Sequence, residues 1–276
     1  MSRLLAFLLV ATSPLPFFAE GKSSDDLFYV ALMAFGEGVK TEAAGDFDKA
    51  INSYEKAASL AHSANLHGNL ANLYFKVGDH GKAILHYRKA LLLAPDNREL
   101  KANLARVREI AEIPIPLRSM DNSYFAPSTI GTWCWSTATL FWLGLFAVLI
   151  LMRSLLPTTL RIAIATSWLT LVVFGAYAAW RADHNAMMLV REAVAVAPLN
   201  TAGEKPRMIA LRRYAGDSNE ANAELKSGEI VHIDLDQDST LKEHRTPDSD
   251  VWYLARSQSG GKKGWATSKE LLKVLD

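Results

Sequence analysis

Apolar and polar positions alternate in short blocks along most of the chain, but between Trp133 and Trp180 the polar half of the pattern nearly vanishes. Two runs, residues 133–152 and 162–180, contain no Asp, Glu, Lys, Arg or His. As helices, each would span roughly 30 Å, the thickness of a bilayer's hydrocarbon core. Helices buried in a large soluble core are the competing reading, but helices of that length normally keep a polar face. The pattern therefore predicts a transmembrane hairpin with helices over 133–152 and 162–180 and a loop over 153–161, in contact with the lipid bilayer. Tryptophans at 133 and 180 fall near the predicted ends, where amphipathic rings favour the headgroup region. A loop so short places both polar flanks on one side of the membrane.

At the N-terminus, Arg3 precedes a seven-residue apolar stretch, 4–10, too short to span a bilayer. Residues 1–19 read as a secretory signal peptide, with Ala19 before the cut. Phe17 stands where a small side chain is preferred, so an uncleaved anchor is the alternative. Export of the downstream chain would put both outer segments in the periplasm of a bacterial inner membrane. Arg153 and Arg161 would then lie in the cytoplasmic loop, with no acidic residue between them.

A second periodicity lies upstream. Gly45, Asp46, Lys49, Ala50, Ile51, Tyr54, Lys56 and Ala57 recur as Gly78, Asp79, Lys82, Ala83, Ile84, Tyr87, Lys89 and Ala90 at a constant offset of 33. The pattern predicts paired antiparallel helices, with glycine permitting a tight turn, alanine letting backbones approach and tyrosine filling the wedge. Pro95 ends the second unit. The stretch 98–112 repeats Asn69-Leu70-Ala71 as Asn103-Leu104-Ala105 without a further helix to pair with, and reads as a solvating cap. This resembles the tetratricopeptide repeat, most completely over 64–97. In the first unit, about 31–63, Glu37 and Gly38 stand where an apolar and a small residue are usual.

The resemblance implies an all-α solenoid over 24–112 that binds an extended peptide along its first helices. By that analogy the groove residues are Asn69, Asn72, Lys76, Asn103 and Arg106. Asn can hold a backbone amide through both donor and acceptor, and Lys or Arg can meet a carboxylate. The alternative is that all five are ordinary solvated polar residues.

Residues 113–132, opening with Ile113-Pro114-Ile115-Pro116, read as a stiff linker. Beyond the second apolar run no periodicity is clear until Ala193-Val194-Ala195-Val196-Ala197. Short strands are then predicted over 208–214, 229–235 and 251–257, with a last one after Gly264-Trp265, which suggests a small all-β barrel over 193–276. The order of landmarks, Arg213 with Gly216, Gly228 before a strand, Trp252-Tyr253 and Gly264-Trp265, resembles a bacterial SH3-like domain, with a long acidic insert at 234–250 as a departure. Trp252, Tyr253 and Trp265 either line an aromatic ligand face or belong to the core.

Whole-chain composition blurs this architecture: 21% charged residues and net charge +1 average two polar flanks with an apolar middle. So small a net charge gives no electrostatic case for nucleic acid. The single cysteine, Cys134, lies in the first apolar run and has no disulfide partner in the chain. The seven histidines show no paired metal spacing, and no phosphate-cradling loop or nucleophile elbow occurs. Asp234, Asp236 and Asp238 lack the glycine and distal glutamate of a calcium loop, and read as a solvated acidic turn. These observations point to a non-enzymatic binding protein without cofactor or metal.

Signal, repeats, hairpin and SH3-like region in this order resemble the BatE proteins of the bacterial aerotolerance (Bat) group. The resemblance implies an inner-membrane scaffold working with von Willebrand A-domain membrane proteins and a MoxR-type ATPase in envelope stress tolerance. A rival reading is a cell-wall sensor whose SH3-like domain binds peptidoglycan. A third is an enzyme whose site forms only with a partner chain.

Overall fold

The computed structural model describes residues 24–113, 125–153, 157–197, 208–216, 220–238, 240–247, 249–258 and 261–275. The predicted signal and linker residues 114–124 lie outside them. The helices are α1 (Ser24–Ala43), α2 (Phe47–Ala58), α3 (Ala64–Lys76), α4 (His80–Leu93), α5 (Arg98–Ile110), α6 (Ile130–Met152) and α7 (Thr158–Val190). The chain divides into two compact units after Leu66, within α3.

In the first unit α1 and α2 pair through a turn at Gly45, whose φ of +80° suits only glycine at low cost. Asp46 then caps α2, its carboxylate accepting from the Lys49 N–H at 3.2 Å. Ala50, Ile51, Tyr54 and Ala57 are buried on one face. The Tyr54 ring packs on Phe35 at 5.4 Å between centroids, and its hydroxyl donates to Glu42 Oε2 at 3.2 Å. Gly38 leaves the space that this ring occupies: a Cβ there would lie 2.5 Å from Tyr54 Cδ1.

The second unit repeats the device. Gly78 has φ +84°, Asp79 accepts from the Lys82 N–H at 3.0 Å, and Ala83, Ile84, Tyr87 and Ala90 are buried on α4. Asn97 caps α5 through the Leu100 N–H at 3.1 Å. Leu100, Leu104 and Val107 turn inward on that helix.

α6 and α7 are two helices long and apolar enough to cross a membrane. They pack on each other, and Trp168 donates its indole N–H to the Leu140 carbonyl at 3.0 Å. Phe125 and Trp133 meet Tyr177 and Phe174 edge-on. Many of their apolar side chains face outward, with Trp142, Phe146 and Ile150 between 55% and 71% exposed. α7 continues ten residues past the predicted end at Trp180, directly into the sheet. That extension escaped the periodicity reading because Arg181, Asp183, His184 and Asn185 interrupt the apolar run without breaking the helix.

Among the described residues the C-terminal region holds eight strands: β1 (Glu192–Ala195), β2 (Ile209–Arg212), β3 (Ala221–Leu225), β4 (Ile230–Ile233), β5 (Glu243–Arg245), β6 (Val251–Ser257), β7 (Lys263–Thr267) and β8 (Leu271–Lys273). They form one antiparallel sheet in the order β3-β2-β7-β6-β4-β1-β8, with β5 also on β6. The expected closed barrel does not form. Closure needs the terminal strands of the path to meet with a fixed stagger. Here those strands are short and lie at opposite ends, and a helix of the solenoid covers part of the sheet. The sheet's core holds Ala193, Ile209, Leu211, Leu225, Val231, Ile233, Tyr253, Ala255 and Leu271.

Candidate functional site

Asn69, Asn72 and Lys76 fall on one face of α3, and Asn103 and Arg106 on one face of α5, as helical spacing demands. Between them stands Tyr87 of α4, 1% exposed. Its hydroxyl donates to Asn72 Oδ1 at 2.5 Å. Burial foremost, then Glu99, pushes the phenol up to about 12, while a hydrogen bond with Asn103 acts the other way. Two of the five expected groove residues thus converge on one buried tyrosine and brace three helices. Asn69 is half-buried, Lys76 is exposed, and Arg106 lines a separate cavity farther along α5.

Behind this face lies a histidine pair that the residue pattern did not single out. His67 of α3 and His86 of α4 approach Nδ1 to Nδ1 at 3.2 Å, so one ring supplies the proton and the other accepts it. Tyr74 stacks on His86 at 5.4 Å between centroids. Burial first, then the charges of His67, Lys89 and Lys82, lowers His86 to about 3.

The opposite side of α4 carries the sheet. Arg88 grips Glu192 of β1 with both arms, Nε to Oε1 at 2.7 Å and Nη2 to Oε2 at 2.5 Å. The turn before β4 presses between α4 and the end of α5. A Cβ on Gly81 would collide with Ser227 Oγ, and one on Gly228 would meet both Ile84 and Ile113 at 2.6 Å. Lys226 reaches Glu112 at 3.1 Å. The helices α4 and α5 and the sheet are therefore one packed body in the second unit.

Trp252, Tyr253 and Trp265, the expected ligand face, differ in burial. Trp252 is buried at 1% exposure with the Arg212 guanidinium 5.4 Å above its ring. Tyr253 alternates to the other face and joins the core, where burial foremost, then Glu243, raises its phenol. Trp265 is half-buried and meets His244 edge-on at 6.2 Å. The acidic turn also differs from its expected role. Asp234, 17% exposed at its side chain, gathers Lys263 at 2.8 Å, Arg191 at 3.6 Å and Arg256 at 3.7 Å. It ties the end of α7 to two strands.

Residues 64–97 match the tetratricopeptide-repeat family model. Among solved structures, the Arabidopsis OM64 TPR domain is similar at 20% identity, over 30% of this chain and 70% of that one, with a TM-score of 0.29. No curated protein matches. The segment 64–97 is thus a tetratricopeptide repeat, a module that binds proteins and is typically non-enzymatic.

Proposed function

We propose that the protein is a membrane-anchored adaptor, whose repeat face on α3 and α5 holds a segment of a protein partner. The observation that carries this reading is the repeat match over residues 64–97; Asn69, Asn72, Lys76, Asn103 and Arg106 are the groove residues that the tetratricopeptide analogy assigns. The outward apolar side chains of α6 and α7 support insertion in a bilayer. With export by the N-terminal signal, the repeats and the sheet stand on the periplasmic side of a bacterial inner membrane.

The partner class comes from the resemblance to the BatE proteins: von Willebrand A-domain membrane proteins and a MoxR-type ATPase, in an envelope stress complex. The SH3-like character of the sheet belongs to the same reading. A peptidoglycan sensor is less well supported, since Trp252 and Tyr253 are buried and leave only Trp265 partly open.

The test is co-purification in mild detergent. Asn69→Ala combined with Lys76→Glu spares Asn72, which holds Tyr87, and is expected to remove the partner proteins found with the unaltered chain by mass spectrometry. An unchanged partner set would overturn the groove reading.

A further inference from the structure

One cation in the packed body has no counterion of its own among the described residues. Arg108 on α5 is 5% exposed, and its Nε and Nη2 are buried with no hydrogen-bond partner among those residues. The carboxylate within its electrostatic reach, Glu192, is already held by both arms of Arg88. Arg88 is itself a second positive charge acting on Arg108. Burial, then Arg88, lowers the guanidinium to about 10, which still leaves it charged at neutral pH. Among the described residues Arg108 shares the Glu192 charge with Arg88 and has no carboxylate hydrogen-bonded to it, and an underpaired buried cation is costly.

Arg108 also lines a cavity of about 710 Å³ with Ala102, Ala105, Arg106, Glu109, Glu112 and Ile113. It is a broad, open depression rather than an enclosed pocket. Two alanines leave room beside the guanidinium, Ile113 supplies an apolar wall, and Arg106 adds a second cation. Glu112 faces Lys226 at 3.1 Å, so part of the acidic lining is already neutralised.

We propose that this cavity is an oxyanion site: a carboxylate or phosphate group enters beside Ala105 and is held by Arg108, with Arg106 at the mouth. The positive charge of a guanidinium suits either group. Filling the site supplies the missing countercharge at the junction of α5 with the sheet. Ligand occupancy therefore stabilises the packed body, and it shares Arg106 with the proposed peptide face.

Isothermal titration of the full chain in detergent micelles, with citrate and with inorganic phosphate at matched ionic strength, tests this. One saturable site is expected for at least one of them. Citrate alone identifies a carboxylate ligand, and phosphate alone a phosphoryl one. Arg108→Met removes the charge while keeping bulk, and is expected to weaken binding at least tenfold; Arg98→Gln, on the same helix but outside the cavity, leaves it unchanged. Ala105→Glu places a carboxylate one turn before Arg108, and is expected to raise the melting temperature and abolish binding of the added anion. No saturable heat with either anion, equal affinity in Arg108→Met, or Ala105→Glu that still binds would each overturn the proposal.

Discussion

The two copies of the repeat share their second helix and differ in what it meets. α2 and α4 use the same glycine turn, the same aspartate cap and the same Ala-Ile-Tyr-Ala face. Of the five positions at which residues 45–57 and 78–90 differ, two bear on the sheet. Where the first copy has Asp48, the second has Gly81, and where the first has Glu55, the second has Arg88. Gly81 lets the helix backbone touch the turn at Ser227 and Gly228, and Arg88 supplies the charge that Glu192 lacks. These two differences are the ones through which α4 meets the sheet. The first helices differ as well: α3 buries His67, Leu70, Ala71, Leu73 and Tyr74, whereas α1 leaves Phe28, Tyr29, Leu32 and Met33 exposed.

Converting the second copy toward the first breaks this contrast most strongly at Arg88. Arg88→Glu leaves Glu192 buried without a cation and adds a like charge, at a cost of about 3–5 kcal/mol. Thermal unfolding of the detergent-solubilised chain should show it, with hydrogen exchange at β1 rising before exchange in α2. Gly81→Asp ranks next, at roughly 3 kcal/mol, because a side chain is forced against Ser227 Oγ and the Ala195 carbonyl. The aligned Asp48→Gly, in a helix that meets no such turn, should change the same melt little.

A smaller effect separates the copies by pH. His86 has its folded value depressed to about 3, while the unfolded ring titrates near 6.5. Between those limits the unfolded chain binds a proton that the folded chain does not, so the second unit loses stability as pH falls through that window. The first copy has Ser53 at the aligned position. His86→Gln should flatten the pH dependence measured by denaturant unfolding. Smallest, and equal in the two copies, is the cost of the turn: Gly45→Ala and Gly78→Ala each force an L side chain into the left-handed region, at about 1–2 kcal/mol. A large inequality between them would mean that the turns are not equivalent.

The parts legible in the amino-acid pattern are those whose physics is local. Gly78 and Asp79 announce a turn and a cap within a few residues of the bonds they make. The apolar runs announce α6 and α7 by length alone, and Val251-Trp252-Tyr253 announces β6. What stayed hidden depends on distant partners. Nothing near Arg88 or Gly81 indicates Glu192 or Ser227, more than 100 positions away. Asp234 reads as a solvated acid until Arg191, Arg256 and Lys263 fold around it. The expected groove was legible as spacing, but the use of Asn72 and Asn103 to hold Tyr87 required the third helix to be in place.

The central claim is that two apolar helices hold the repeat and the sheet on the same outer face of one membrane. Single cysteines introduced by Lys101→Cys, Pro157→Cys and Lys273→Cys, in a Cys134→Ser background, would report it through a membrane-impermeant maleimide on intact spheroplasts. Labelling at 101 and 273 with protection at 157 until the membrane is opened is the predicted result. Labelling at 157 with protection at the other two, or recovery of the chain in the soluble fraction, would contradict it.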